Sequence, residues 1–366
     1  MTDHKRAPDF VIFLATMALV GIGLVMIFSA SSAKALVQTG DGAYFLKRQA
    51  AWGLLGLVAM FFTMRIDFWH WRRWASPVFW VIFALLIVVL IPGVGVTING
   101  ARRWIGAGPL NIQPSEAMKF GIVLYLAELL TRLGPRVRSF LGGMAPVLGV
   151  TALVALAVLM EPDLGTAVIL GGIAFLMLFA AGAPGGALAA ITGIGLPLGL
   201  AAIWIEPYRR SRFFAFLDPQ ADPLGSGYHI IQALYALGSG RFLGVGLMQG
   251  HQKFWYLPEQ HTDFIFAVIG EELGFIGTFT VIALLFVLAW RGYLVAMRAP
   301  DHFSGLLATG ITSMIAVQAI LNIGVVTASL PITGTTLPFI SFGGSSLLTN
   351  MAAVGVLLNI SRYSEV

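Results

Sequence analysis

The feature that most constrains this chain is a series of long stretches without a charged residue. No Asp, Glu, Lys or Arg occurs from Phe10 to Ala33, between Asp163 and Glu206, or from His302 to Ser361. A helix needs about 20 apolar residues to cross the hydrocarbon core of a bilayer. Only 11% of the residues are charged, against about 25% in a soluble domain whose surface faces water. The sequence therefore predicts a multi-pass membrane protein.

The apolar stretches predict an all-α fold with about ten transmembrane helices. The expected spans are 10–33, 45–64, 75–92, 114–130, 139–160, two within 163–206, 264–290, and two within 302–361. The first span is too long for the apolar region of a signal peptide, so we expect it to be retained. We expect residues 1–366 to form a single integral membrane domain, with one long outer loop at about 206–263 between helices 7 and 8.

Basic residues in the short loops predict the orientation. If both termini are cytoplasmic, the positive-inside rule is satisfied by Lys5, Arg6, Arg65, Arg72, Arg73, Arg132, Arg136, Arg138, Arg291, Arg298 and Arg362. The exceptions on the outer face are Arg102, Arg103, Arg209, Arg210, Arg212, Arg241 and Lys253. An anionic substrate group would explain outer cations, and so would solvent or pairing with nearby acidic residues.

Ionisable groups at membrane depth are costly and tend to mark function. Glu116 and Lys119 are three residues apart and so share a helix face, either as a structural ion pair or as part of a site. Glu161 and Asp163 flank Pro162 in a tight outer turn, where Asp163 is expected to cap the next helix. Glu271 and Glu272 could relay protons or face a polar cavity.

Asp263 is the sharpest catalytic candidate. It stands where the long outer loop meets the eighth span, at the level of the outer arginines. A carboxylate at this position could simply cap the helix. It could also be the base of a transferase that acts on a lipid-linked substrate.

Several classes of site are absent from the sequence. There is no cysteine, which excludes disulfides, thiolate metal sites and cysteine nucleophiles. The six histidines lack metal-ligand spacing, and neither a phosphate-binding loop nor a dinucleotide fingerprint occurs. The net charge of +5 includes no basic run long enough to predict nucleic-acid binding.

Five ordered motifs resemble the SEDS (shape, elongation, division and sporulation) family, nearly from end to end. They are Asn99–Gly106 with Ile112–Lys119, Glu161–Thr166, Asp222–Tyr228, Leu257–Ala267 with Glu271–Phe275, and Leu337–Leu347. The chain is most similar to the FtsW and SpoVE branch and is also RodA-like. It departs at Phe342, where relatives often have Tyr.

The resemblance implies a peptidoglycan glycosyltransferase in the bacterial cytoplasmic membrane that polymerises lipid II at the outer face. It implies a class B penicillin-binding protein transpeptidase as partner, alongside other division or elongation proteins. The family's essential outer-loop carboxylate matches Asp263, its Glu–Lys pair matches Glu116 and Lys119, and its Arg before Trp matches Arg103.

These residues give a mechanistic hypothesis. Asp263 is expected to act as general base on the acceptor hydroxyl, in a single inverting displacement. Arg103 and Lys119 are expected to stabilise the diphosphate leaving group, with weaker candidates in Arg210 and Arg102 and with Glu116 positioning Lys119. A divalent cation, Mg²⁺ or Mn²⁺, could assist, although no ligand set identifies one. The alternatives are a lipid II flippase and a non-catalytic scaffold for the transpeptidase.

Overall fold

The computed structural model describes residues 6–98, 101–107, 110–253 and 257–364, and it is predominantly helical. Lys5, Asn99 and Gly100, which the sequence analysis singled out, lie outside these ranges. The α-helices are α1 Phe10–Thr39, α2 Tyr44–Arg65, α3 Phe68–Val89, α4 Pro114–Leu133, α5 Ala145–Met160, α6 Leu164–Ala180, α7 Gly185–Ile205, α8 Pro207–Leu217, α9 Tyr228–Ser239, α10 Ile265–Met297, α11 His302–Val326 and α12 Gly344–Ser361.

Seven helices of the described chain are long and apolar enough to cross a membrane. They are α1, α3, α7, α10, α11, α12, and α5 together with the π-helical turn Phe140–Met144 before it. This confirms a multi-pass membrane protein. Three more helices coincide with predicted spans, but α2 and α4 carry charged residues and α6 has only 17 residues. The count of ten spans stays a prediction.

The two ends of the described chain meet at one end of the helix bundle. The Asp9 side chain caps α1 by accepting a hydrogen bond from the backbone N–H of Val11 (2.9 Å), and it pairs with Arg291 of α10 at 2.6 Å. The backbone N–H of Asp9 donates to the Ser361 hydroxyl of α12 (2.9 Å). Asp9 therefore joins three helices that are distant in sequence.

A small antiparallel sheet follows α3, in a region that was predicted only to be a loop. Its strands are β1 Val96–Ile98, β2 Ala101–Ala107 and β3 Leu110–Ile112, in the order β1-β2-β3. Successive side chains of a strand point to opposite faces. Arg102 and Arg103 on β2 are therefore directed to different sides of the sheet.

The long segment 206–263 is more ordered than a simple loop, because it contains α8 and α9. It is followed by α10, which has 33 residues and extends beyond the predicted 264–290. Gly274 interrupts α10 with a φ of 64°. The backbone of the outer segment lies against this break, so closely that a Cβ added at Gly274 would lie 2.3 Å from the backbone nitrogen of Gly244.

Candidate functional site around Asp263

Asp263 lies on a loop whose backbone is held from two sides. The Asn322 side chain of α11 donates to the carbonyl oxygen of Asp263 (2.8 Å) and to that of Thr335 (2.6 Å). The Ser341 hydroxyl donates to the carbonyl oxygen of Thr262 (2.6 Å). The loop before α10 and the segment between α11 and α12 are thus tied together, which fixes the Asp263 backbone.

The Asp263 carboxyl is half-buried and electrostatically perturbed. Its surroundings together raise its pKa to about 7: burial is the largest cause, the Glu259 carboxylate also raises the pKa, and the Arg212 guanidinium lowers it. Asp163 and Arg103 act on it more weakly. The helix-capping alternative is not observed, because no side chain caps the N-terminus of α10. A carboxylate with a pKa near neutrality suits a general base.

Gly334 lies close to both the Asp263 carboxylate and the Arg212 guanidinium. Gly334 has a φ of +73°, and a Cβ built on it would lie 3.6 Å from the Asp263 Oδ2 atom and 3.9 Å from an Arg212 terminal nitrogen. The guanidinium of Arg212 also lies 4.4 Å from the ring centroid of Tyr208. Any larger residue at position 334 would be strained by this backbone conformation, although its Cβ would make only ordinary contacts with the base and this cation.

Arg103 is fixed by the turn between α5 and α6. Its guanidinium donates to the carbonyl oxygens of Glu161 (2.8 Å) and Pro162 (2.6 Å) and lies 3.6 Å from the Asp163 carboxylate. Asp163 also accepts from the Thr166 backbone N–H (3.0 Å), so it caps α6 as predicted. Since the Arg103 side chain is still 24% exposed, it presents a positioned positive charge at the edge of the site.

Glu161 is fully buried beneath this arginine. Within the described residues, neither of its side-chain oxygens makes a hydrogen bond of ordinary geometry. Burial raises the pKa of Glu161 to about 8, and the neighbouring Asp163 carboxylate adds to this effect, which Ser115 and Arg103 oppose. Glu161 is therefore mainly neutral at pH 7. From the sequence, Glu161 was expected only as part of this turn.

Lys119 and Glu116 form the predicted ion pair, at 2.7 Å. Lys119 is only 1% exposed, and its amine also donates to the Gln318 side chain (2.6 Å). Gln318 donates in turn to the carbonyl oxygen of Thr336 (2.9 Å). The pair thus supports the segment beside Asp263, and direct contact between Lys119 and a substrate stays a prediction.

Two weaker candidates are not brought to Asp263. Arg102 donates to the carbonyl oxygen of Leu90 (3.1 Å) on the other face of β2. Arg210 is exposed on α8, while Arg212, two residues later, is the arginine of α8 that acts on Asp263. Their substrate contacts stay predictions.

Glu271 and Glu272 hold the outer segment against α10. Glu272 pairs with Lys253 at 2.8 Å and accepts from the Ser29 hydroxyl of α1 (2.6 Å). Glu271 accepts from the backbone N–H of His251 (2.7 Å). These contacts make the carboxylate pair an anchor for the segment that leads to Asp263.

Three residues near Asp263 were not identified from the sequence as part of the site. In the sequence, Arg212 is one of several outer cations, and only the fold shows that its charge acts on Asp263. Glu259 and Asn322 carry no local signal, because an acidic loop residue and an amide in an apolar helix are individually unremarkable. Within the described part of the chain, no three His, Asp or Glu side chains are grouped closely enough to hold a metal ion, and the assistance of a divalent cation stays a prediction.

Comparison with known proteins gives the same family as the motifs. A family profile described as "cell cycle protein", covering FtsW, RodA and SpoVE, matches residues 10–366. The chain belongs to this family. It is 47% identical to stage V sporulation protein E of Bacillus subtilis (strain 168) over the full length of both chains. It is 46% identical to the probable peptidoglycan glycosyltransferase FtsW of Trichlorobacter lovleyi, over 96% of this chain and 93% of that protein.

Solved structures of family members share the fold. A chain from a peptidoglycan synthase complex, studied for the coordination of polymerisation and crosslinking, superposes with a TM-score of 0.81 at 32% identity, over 97% of this chain and 98% of that chain. The rod shape determining protein RodA of Thermus thermophilus superposes with a TM-score of 0.72 at 28% identity, over 98% of each chain. The overall fold of the chain is therefore shared with these solved structures.

Proposed function

We propose that this protein is a peptidoglycan glycosyltransferase that polymerises lipid II into glycan strands at the outer face of the bacterial cytoplasmic membrane. Relatives named as peptidoglycan glycosyltransferases support the activity. The observation that carries the proposal is the half-buried Asp263 carboxyl, with a pKa of about 7, beside Arg212 and Arg103. A base next to fixed cations fits a reaction that removes a proton and releases an anion.

In the proposed reaction, Asp263 takes the proton from the 4-hydroxyl of the acceptor sugar. The hydroxyl oxygen forms a bond to the anomeric carbon of the donor sugar, and the bond from that carbon to the diphosphate breaks. The electron pair leaves with undecaprenyl diphosphate. One displacement inverts the anomeric carbon, so an α-linked donor gives a β-linked polymer.

The charge on the leaving diphosphate requires fixed cations, which stabilise a transition state without reorganising. Arg103 is held by two backbone carbonyls and a carboxylate, and Arg212 is held against Tyr208. We assign both to the diphosphate. Lys119 and Glu116 act through Gln318 and Thr336 as positioning residues.

The proposed partner is a class B penicillin-binding protein that supplies transpeptidation. The similar chain solved within a peptidoglycan synthase complex supports such an assembly. A transpeptidase bound to the outer face would receive strands directly as they leave the polymerase.

The function is tested with purified protein, lipid II and gel separation of glycan strands, with and without a cognate transpeptidase. We expect wild-type protein to make strands and Asp263→Asn to lose about 10²–10⁴-fold in rate, the usual contribution of a general base. Near-normal strands from Asp263→Asn would reject the assignment of the base. If even wild-type protein with the partner made no strands, lipid II translocation in liposomes would test the flippase alternative.

A further inference from the structure

The turn that follows α9 packs against the break in α10. The backbone N–H of Phe275 donates to the carbonyl oxygen of Arg241 (2.9 Å), so Arg241 lies level with Phe275. Residues 273–290 of α10 contain no charged residue, and the helix rises about 24 Å from Phe275 to Arg291, at about 1.5 Å per residue. The hydrocarbon core of a bilayer is about 30 Å thick. Arg241 and Arg291 therefore lie near opposite boundaries of the apolar layer.

Arg241 has a backbone conformation that favours glycine. Its φ is 49°, in the left-handed region where a residue with a Cβ atom is strained. The preceding residue, Gly240, lies so close to α10 that an added Cβ would collide with the carbonyl oxygen of Gly270. Local strain of this kind tends to occur at functional sites. The chain thus carries an arginine side chain at a position where glycine would be the unstrained choice.

The Arg241 side chain lines a cavity of about 930 Å³ at the end of α9, together with Tyr235, Ser239 and Gln252. Arg241 and Tyr235 are both exposed. Within the described residues, neither the Arg241 guanidinium nor the Tyr235 hydroxyl takes part in an ion pair or a hydrogen bond. The cavity therefore offers a positive charge and a second hydrogen-bond donor, which together fit a phosphate group.

Three aromatic rings continue from this cavity along α10. The Phe242 ring stacks on the Phe275 ring with 5.8 Å between their centroids, and the Phe275 ring stacks on that of Phe279 at 5.9 Å. All three rings are more than half exposed. Phe279 lies one turn after Phe275 on the same helix face, in the direction of Arg291. The exposed rings thus extend from the Arg241 level toward the middle of the apolar layer.

The position of the charge indicates what covers these rings. A transmembrane helix of another protein would present mainly apolar side chains and would bury the Arg241 guanidinium without a counter-ion, which is unfavourable. A lipid with a negative headgroup places its phosphate at the membrane boundary and its acyl chains below it. This arrangement matches a cation at the boundary with exposed rings beneath.

We propose that Arg241 and Tyr235, with the rings of Phe242, Phe275 and Phe279, form a binding site for an anionic phospholipid. The guanidinium and the tyrosine hydroxyl hold the phosphate, and an acyl chain lies along the rings. None of these residues belongs to the site around Asp263. The inference is therefore independent of the proposed function.

Native mass spectrometry of the purified protein measures this binding directly, since it resolves single bound lipids. The probes are dioleoylphosphatidylglycerol and dioleoylphosphatidylcholine, which have the same acyl chains and differ in net charge. We expect the wild-type protein to bind phosphatidylglycerol about tenfold more tightly, and Arg241→Gly to lose this preference, because charge-assisted hydrogen bonds to the phosphate are lost. Lys47→Gln removes another exposed cation, paired with Asp41, and should keep the preference.

The substitution to glycine separates loss of the site from loss of the fold. Glycine adopts a φ of 49° without strain and keeps the carbonyl oxygen that accepts from Phe275. In nanodiscs of phosphatidylcholine alone, we expect Arg241→Gly to unfold at a temperature equal to or above that of wild type. Added phosphatidylglycerol should raise the midpoint of wild type more than that of the variant, because only the folded protein binds it.

The acyl-chain part of the site is tested with Phe279→Ala, which removes an exposed ring and no charge. We expect this variant to bind both lipids more weakly and by the same factor, because the two probes share their acyl chains. A loss confined to phosphatidylglycerol would contradict the assignment of this ring to the acyl chain.

Four outcomes would overturn the site. They are an unchanged preference in Arg241→Gly, an equal loss in Lys47→Gln, displacement of phosphatidylglycerol by an equal concentration of undecaprenyl phosphate, and release of the lipid when the cognate transpeptidase or a second copy of the chain binds. The second would reduce the effect to net charge. The third would assign the niche to a polyprenyl lipid, and the fourth would assign this face to a protein partner.

Discussion

At the scale of single residues, the protonation of Asp263 sets the expected pH dependence. Its pKa of about 7 means that about a tenth of the carboxyl groups are ionised at pH 6 and about nine tenths at pH 8. Only the ionised form can accept a proton. We expect kcat/KM for lipid II polymerisation to rise about tenfold between these pH values, measured as initial strand synthesis. If kcat/KM did not change between pH 6 and pH 8, either the pKa of Asp263 would lie outside this range or Asp263 would not be the base.

The raised pKa of Glu161 predicts that the folded protein loses stability as the pH rises. Its pKa is raised from 4.5 to about 8, so the folded protein holds this proton at pH values where the unfolded chain has released it. Stability from this group is full below about pH 4.5 and declines as the pH rises toward 8. Glu161→Gln removes the penalty, and we expect its thermal midpoint to exceed that of wild type at pH 8 but not at pH 4.5.

The same substitution has a catalytic readout. An ionised Glu161 would place a negative charge beneath Arg103, whose guanidinium contacts the Glu161 carbonyl oxygen at 2.8 Å. We expect wild-type activity to fall above pH 8 and Glu161→Gln to keep its activity there. Ser139→Ala, at an exposed position distant in sequence, serves as a control that should follow the wild-type profile. If the activity of Glu161→Gln also declined above pH 8, the decline would have to come from the titration of another group.

At the scale of elements, the Lys253–Glu272 pair holds the outer segment against α10, two residues before the break at Gly274; it is buried, and its charged atoms are 2.8 Å apart. Removing one partner of a buried pair costs about 3–5 kcal/mol, because an uncompensated charge remains. We expect Lys253→Met to destabilise by that amount in detergent-induced unfolding, and Lys253→Met/Glu272→Met to recover much of it. Lys47→Met breaks an exposed pair and should cost about 1 kcal/mol or less. Equal losses for the two lysines would contradict an anchoring role.

The helices and strands also show how much of the fold could be predicted from the sequence. Helix positions followed from charge-free stretches, because a lipid environment requires both long apolar runs and a satisfied backbone. The sheet β1-β2-β3 was missed, since short outer strands carry no such signal. The Asp263 region was located because an acidic residue at a membrane boundary is conspicuous. Arg212 and Asn322 were not assigned to it, because contacts between residues 50 or more positions apart depend on packing. Glu259 is only four positions from Asp263, but an acidic loop residue is too ordinary to indicate a site by itself.

At the scale of the whole molecule, Asp9, Arg291 and Ser361 lie where the two ends of the described chain meet. Asp263 instead precedes the first turn of α10, and Arg103 lies on β2 between α3 and α4. This separation matters for the proposed function, because glycan strands for the cell wall would have to be made on one defined side of the membrane. The charge distribution predicts that the termini are cytoplasmic and the site is outside.

The absence of cysteine from all 366 residues allows this orientation to be tested with single substitutions. Gln220→Cys introduces a thiol at an exposed position between α8 and α9, and Ser139→Cys introduces one at an exposed position between α4 and α5. In intact spheroplasts, a membrane-impermeant maleimide should label Gln220→Cys at once and Ser139→Cys only after permeabilisation. The reverse pattern would place Asp263 on the cytoplasmic side, where lipid II could not be polymerised into the wall, and would reject both the topology and the proposed site of action.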